Sequence, residues 1–151
     1  MEPLGFYIRQ RPRTAAAIAF GGVTMAVTHF SWLPHARMSG LAPALTIAAG
    51  GAHALAGAIT GRRLLDGTRT QTSLQAGLLG AATSLLAVVL FAPAFTLFLS
   101  RDAHPPNPLS YLALTMFTAV FSFLGAGWAL LAVSVVVGWG LHRIAAIRDQ
   151  A

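Results

Sequence analysis

The chain has 151 residues, of which 56% are hydrophobic and only 9% are charged, and its formal net charge is +6. Soluble domains are about 25% charged, so this composition argues against a soluble monomer and against a disordered chain. Because the chain contains no cysteine, disulfides, thiolate metal sites and thiol catalysis are excluded. We therefore expect a small membrane-embedded protein.

Four apolar stretches are long enough to cross a bilayer, which takes about 20 residues of helix, and none of them contains Lys, Arg, Asp or Glu. In chain order they cover residues 14–33, 41–61, 73–99 and 109–141. The last two are longer than a bilayer requires, and Pro93 is the predicted kink in the third. This pattern predicts an all-α bundle of four transmembrane helices that forms a single membrane domain, residues 1–151.

The arginines predict how the bundle is oriented. All ten basic residues are Arg, and eight of them lie before the first stretch, between the second and third, or after the fourth. By the positive-inside rule, residues 1–13, the loop 62–72 and the tail 142–151 are cytoplasmic, and the loop 100–108 faces outward. The expected location is the inner membrane of a bacterial-type cell, with both termini in the cytoplasm.

The first basic segment has a simple expected partner. Arg9, Arg11 and Arg13 stand beside interfacial aromatic residues, and such a segment lies on anionic lipid headgroups. The patch is too short to indicate nucleic-acid binding, so the positive charge is interpreted as a topology signal.

Each predicted span carries one stripe of small and polar residues opposite a bulky face. In a bilayer, small residues permit close helix contact, so the stripes are expected to face inward, and bulky residues such as Phe20, Leu55 and Leu78 to face lipid. The hydroxyls could line an aqueous or substrate path, but packing is the favoured interpretation. The positions assigned to packing or to a path are Thr24, Thr28, Gly50, Gly57, Gly77, Gly80, Ser84, Thr118, Ser122 and Gly125.

His53 is the one deep titratable residue of the predicted spans. It lies near the midpoint of the second stretch, on the small-residue face. An imidazole there could relay protons, ligate a haem iron or contact a substrate. The favoured alternative is a neutral imidazole hydrogen-bonded to a neighbouring helix. The four acidic residues all lie outside the spans, which weakens a proton-antiporter interpretation.

A metal site has little support in the sequence. His29, His35 and His104 all lie near the predicted outer face, but they belong to three different segments and form no ligand motif. We therefore predict no metal, no cofactor and no catalytic residue, and the chain is not expected to be an enzyme.

Three functions remain as hypotheses. The first is a structural or accessory membrane protein that packs with itself or with a larger membrane complex through its helix faces. The second is a minimal transporter or channel subunit acting as a homo-oligomer. The third, weaker hypothesis is a haem- or quinone-binding redox subunit that uses His53.

Overall fold

The computed structural model describes residues 7–8, 10–32, 42–65, 72–100 and 107–146, and these form helices and no strand. The all-helical prediction is confirmed for this part of the chain. The helices are α1 (Pro12–Trp32), α2 (Ala42–Leu65), α3 (Ser73–Ser100), α4 (Pro108–Ser122) and α5 (Trp128–Ala146). A π-helical segment, Phe123–Gly127, joins α4 to α5 without a break.

Local chemistry explains where two of the helices begin. At α3, the Thr72 Oγ1 accepts from the Gln75 backbone N–H (3.2 Å), and the Gln75 side chain accepts from the Thr72 N–H (3.3 Å). This capping box satisfies two amides that the first helical turn leaves unpaired. At α4, the Asn107 Oδ1 accepts from the Ser110 N–H (2.8 Å), and Pro108 takes the first helical position, where no N–H is needed.

Within the described part of the chain, three helices are long and apolar enough to cross a membrane: Pro43–Leu65, Ser73–Phe98 and Trp128–Ala145. The chain therefore has the makeup of a membrane protein. The predicted first span is helical as α1 but is not one of these three, and α4 is a shorter apolar helix. The predicted kink residue, Pro93, lies inside α3.

Close backbone contacts hold the helices in two antiparallel pairs. Between α1 and α2, a Cβ built on Gly57 would lie 2.8 Å from the Ala16 carbonyl oxygen. Between α3 and α5, a Cβ on Gly138 would lie 3.1 Å from the Gly80 Cα. Only glycine permits approaches of this kind, which is why small residues promote helix association in lipid. Contacts between α2 and α3 join the two pairs.

One prediction about the faces is wrong. Phe20 was expected to face lipid, yet it is 1% exposed and belongs to a buried hydrophobic cluster with Ile8, Ala15, Ala16, Leu64, Leu141 and Ala145. Its ring lies against Gly57, where a Cβ would come within 3.1 Å of the ring, so the missing side chain makes room for the aromatic one. Other residues assigned to lipid are exposed: Leu55, Ile59, Leu78, Leu85 and Val89.

The last predicted span differs from the observed helix. Residues 108–146 are helical throughout, but the Trp128 N–H reaches back to the Phe123 carbonyl across five residues and produces the π segment. Gly127 accommodates this turn, because a Cβ there would lie 2.9 Å from the Phe123 ring. N-terminal to the π segment, α4 is mostly exposed, and Thr118 is its one buried residue.

Candidate functional site

The structure places His53 between α2 and α3, with both ring nitrogens within hydrogen-bonding distance of a partner. The side chain is 3% exposed. Its Nδ1 lies 3.0 Å from the Ala49 carbonyl oxygen, one turn earlier in α2, and its Nε2 lies 3.3 Å from the Ser84 Oγ on α3. Because a carbonyl oxygen can only accept, Nδ1 carries the hydrogen. In the neutral imidazole, Nε2 then accepts from the Ser84 hydroxyl.

A pair of threonines forms the second polar contact between the same helices. The Thr60 and Thr83 hydroxyl oxygens lie 2.8 Å apart. Each also reaches a carbonyl of its own helix: Thr60 that of Ala56 at 2.9 Å, and Thr83 that of Leu79 at 2.8 Å. Two hydroxyl hydrogens serve three contacts, so one threonine donates to the other while its partner donates to the backbone.

A third group of polar contacts attaches α4 to α3. The Tyr111 hydroxyl donates to the Pro93 carbonyl oxygen at 3.0 Å, and the Thr96 and Thr118 hydroxyls lie 3.5 Å apart. We call these three groups together the polar seam; it comprises His53, Ser84, Thr60, Thr83, Thr96, Thr118, Tyr111 and Pro93.

Sequence reasoning singled out three members of the polar seam as site residues: His53, Ser84 and Thr118. It missed Thr83 and Thr96, and it gave Tyr111 no part in a site. Thr83 directly precedes Ser84 and lies about 100° from it around α3, yet both side chains contact α2, so a stripe drawn one residue wider would have included Thr83. No pattern in the sequence indicates the reach of Tyr111 to a carbonyl in α3.

The other predicted packing positions lie mostly inside the bundle. Thr24, Thr28, Gly50, Gly57, Gly77 and Gly80 are buried, and Ser122 is half-buried. Gly50 lies against Met25, Gly77 against Val135, and Gly80 against the Ser134 carbonyl. Gly125 falls in the π segment. Among the described residues, the buried hydroxyls of Thr28 and Thr115 have no hydrogen-bond partner.

The histidines proposed as weak metal candidates do not form a site in the described residues. His29 is exposed and meets the Phe30 ring edge-on, with centroids 5.9 Å apart. His35 and His104 lie outside the described residues, as does Arg9 of the predicted headgroup segment. Within the described ranges, no three His, Asp or Glu side chains are grouped so that they could hold a metal ion. Arg11 and Arg13 are exposed at the start of α1.

Chemically, the polar seam fits helix attachment better than catalysis. A haem iron at the Nε2 of His53 would have to displace the Ser84 hydroxyl. The paired threonines use their hydrogens on each other and on their own helices, which is how such residues bind helices together in lipid. No protein-family model matches the chain, and no curated protein or solved structure is detectably similar to it.

Proposed function

We propose that this protein is a four-span inner-membrane protein of structural or accessory type, with both termini in the cytoplasm. In this proposal α1 is the first span, and the helix from α4 through α5 is the last. The protein acts by packing its membrane-facing surfaces against a second copy or against a larger membrane complex.

The observation that carries the proposal is the pairing of the polar groups in the middle of the bundle. His53 has a partner at each ring nitrogen, and Thr60 and Thr83 are bonded to each other and to backbone carbonyls. Polar groups paired in this way hold helices together and leave none of their hydrogen-bond donors free for a substrate. The surfaces of the bundle are then the part available for function.

The surface of α4 is the best supported contact region. It is apolar and mostly exposed, with Leu109, Met116, Phe117 and Phe121 all turned outward. The neighbouring Phe117 and Phe121 rings lie 4.2 Å apart and form one aromatic ridge. A helix attached to its own bundle mainly along α3 has most of its circumference available for another protein in the membrane.

Cysteine cross-linking tests this proposal cleanly, because the natural chain has no cysteine. We expect Met116→Cys, at a position 63% exposed on α4, to give a disulfide-linked dimer or a cross-link to a larger chain in oxidised native membranes. The matched control, Ala87→Cys, replaces a residue that is 0% exposed on α3 and should give none.

The same preparation tests the competing functions. The absence of any cross-link from Leu112→Cys, Met116→Cys and Val120→Cys would contradict the proposal. A Soret band that disappears in His53→Ala would establish a haem protein instead. Solute flux in reconstituted vesicles that falls in His53→Leu would establish a transporter.

A further inference from the structure

The N-terminal end of α1 lies beside the C-terminal end of α2, and this contact brings together two arginines from distant parts of the sequence. A Cβ built on Gly61 would lie 2.7 Å from the Pro12 carbonyl oxygen and 3.2 Å from the Arg13 Cα. Such distances are too short for a real Cβ, so the glycine is what allows the two backbones to meet here. Arg62 directly follows Gly61, and Arg13 and Arg62 are therefore neighbours at one end of the hairpin.

Both arginines lie on the flank of the hairpin that faces away from the rest of the bundle. Thr60 bonds across to α3, and Ala15 shares a buried cluster with Leu141 and Ala145 of α5. Arg62 follows Thr60 by two residues and Arg13 precedes Ala15 by two. A two-residue step turns an α-helix by about 200°, so each arginine is on the opposite side of its helix from these contacts. Both are exposed.

The chemistry around this pair is that of an anion site at a membrane surface. Among the described residues there are no carboxylates, since all four acidic residues of the chain lie outside them. Below Arg62, on the same face of α2, the exposed side chains of Ile59 and Leu55 continue into the apolar part of the helix. Two guanidinium groups above an apolar strip match a negatively charged headgroup above its acyl chains.

We propose that Arg13 and Arg62 together bind the phosphodiester of an anionic phospholipid, whose acyl chains lie along Ile59 and Leu55. Guanidinium groups suit this ligand because each offers a planar fork of N–H donors to two phosphate oxygens. A lipid held in this way bridges α1 and α2 and favours the folded hairpin by mass action. This proposed site is more specific than the general attraction of anionic headgroups expected of Arg9, Arg11 and Arg13, and it adds Arg62 from the C-terminal end of α2.

The test is lipid binding by the purified full chain in an uncharged detergent. Dioleoylphosphatidylglycerol and dioleoylphosphatidylcholine are titrated separately, with bound lipid counted by native mass spectrometry and melting followed by tryptophan fluorescence. We expect phosphatidylglycerol alone to bind and to raise the Tm. Arg13→Gln and Arg62→Gln should each weaken its binding about fivefold, the loss expected for one arginine at an anionic membrane surface.

Arg143→Gln is the matched control, since it removes the same charge from the exposed side of α5. The Arg143 guanidinium lies 5.0 Å from the centre of the Trp139 ring. We expect this variant to bind phosphatidylglycerol like the natural chain. The double variant Arg13→Gln/Arg62→Gln should lose less than the product of the two single losses, because both arginines hold one phosphate.

Several results would contradict the proposed phospholipid site. Equal losses of phosphatidylglycerol binding in Arg143→Gln and Arg62→Gln would show that the lipid is attracted only by the net charge of the protein. Equal stabilisation by phosphatidylcholine would remove the role of the anionic headgroup, and an equal rise of Tm in millimolar inorganic phosphate would show a free-anion site instead. All three Gln variants keep a helix-forming residue at an exposed position, so circular dichroism should show unchanged folding.

Discussion

At the scale of single residues, the bundle shows how a histidine is accommodated in an apolar interior. Burying a polar group without a partner in a bilayer is costly, and the buried imidazole of His53 meets that demand with two contacts. The Ala49 carbonyl orients the ring, and the Ser84 hydroxyl joins it to the next helix. His53 therefore acts in the structure as a connection between α2 and α3.

Replacing His53 with leucine should cost a modest amount of stability. His53→Leu removes the contact with Ser84, whose hydroxyl can turn back to a carbonyl of its own helix. Hydrogen bonds between membrane helices contribute about 0.6 to 2 kcal/mol, so we expect a loss of about 1 kcal/mol in the free energy of unfolding. Unfolding in mixed micelles of increasing sodium dodecyl sulfate measures it.

Ser84→Ala provides the other half of the same comparison. If His53 and Ser84 act as one contact, the double variant should be scarcely less stable than either single variant. If the losses in the free energy of unfolding of the two single variants simply add in the double variant, the two side chains do not interact.

At the scale of helices, the contact between α3 and α5 depends on backbone approach more than on side-chain bulk. Gly80 and Gly138 lie against each other where the two helices meet, and both are buried. By contrast, Gly22 on α1 is exposed, and a Cβ there would meet nothing within 4 Å. Glycines of the same sequence thus occupy two different environments.

Substitution by alanine should separate these two environments. In Gly80→Ala the new methyl group collides with the Ser134 carbonyl, which is backbone and cannot rotate away. We expect a loss of about 2 kcal/mol or more, at the upper part of the usual cost of overpacking. Gly22→Ala should leave stability unchanged or raise it by up to about 1 kcal/mol, because alanine forms helix better than glycine. The same detergent titration compares them, and equal losses in both variants would contradict the proposed contact.

The sequence predicts where helices form better than it predicts which residues of different helices contact each other. Stripes of Gly, Ser and Thr locate the inward positions of α2 and α3, because small residues have a direct role in contact between helices. Phe20 could not be placed, since its burial depends on the space above Gly57, a residue of another helix. The π segment escaped prediction because the apolar pattern continues unchanged through Phe123–Gly127. The Tyr111 contact depends on how α4 crosses α3, which no local pattern encodes.

At the scale of the whole molecule, the hydrophobic cluster and the described arginines lie toward one end of the bundle. Ile8, Leu64, Leu141 and Ala145 pack together where the ends of α2 and α5 meet the start of the chain's helical part. Exposed arginines lie around this cluster: Arg11, which directly precedes α1, and Arg13, Arg62, Arg63 and Arg143 on α1, α2 and α5. The positive-inside rule expects basic residues to gather on one side of the membrane, so this charged end supports the proposed topology.

Labelling of single cysteines tests the proposed topology. With both termini in the cytoplasm, Asp102→Cys should react with a membrane-impermeant maleimide in intact cells, while Asp66→Cys should react only after lysis. Both substitutions fall in predicted connections between spans, so they leave the helices unchanged. Labelling of both positions in intact cells would refute the four-span arrangement, and the reverse pattern would refute the cytoplasmic location of the termini.

The π segment allows the last helix to hold one more residue without turning α4. A π turn is an α-helix with one additional residue, which its wider turn absorbs. Each residue of a regular α-helix advances it by about 100°, so the same residue added without a π turn would rotate α4 about its axis relative to α5. Removing a single codon within positions 123–127 should therefore restore a regular helix and leave Thr118 against α3. Two genes differing by that one codon would encode proteins that present the same surface to the membrane.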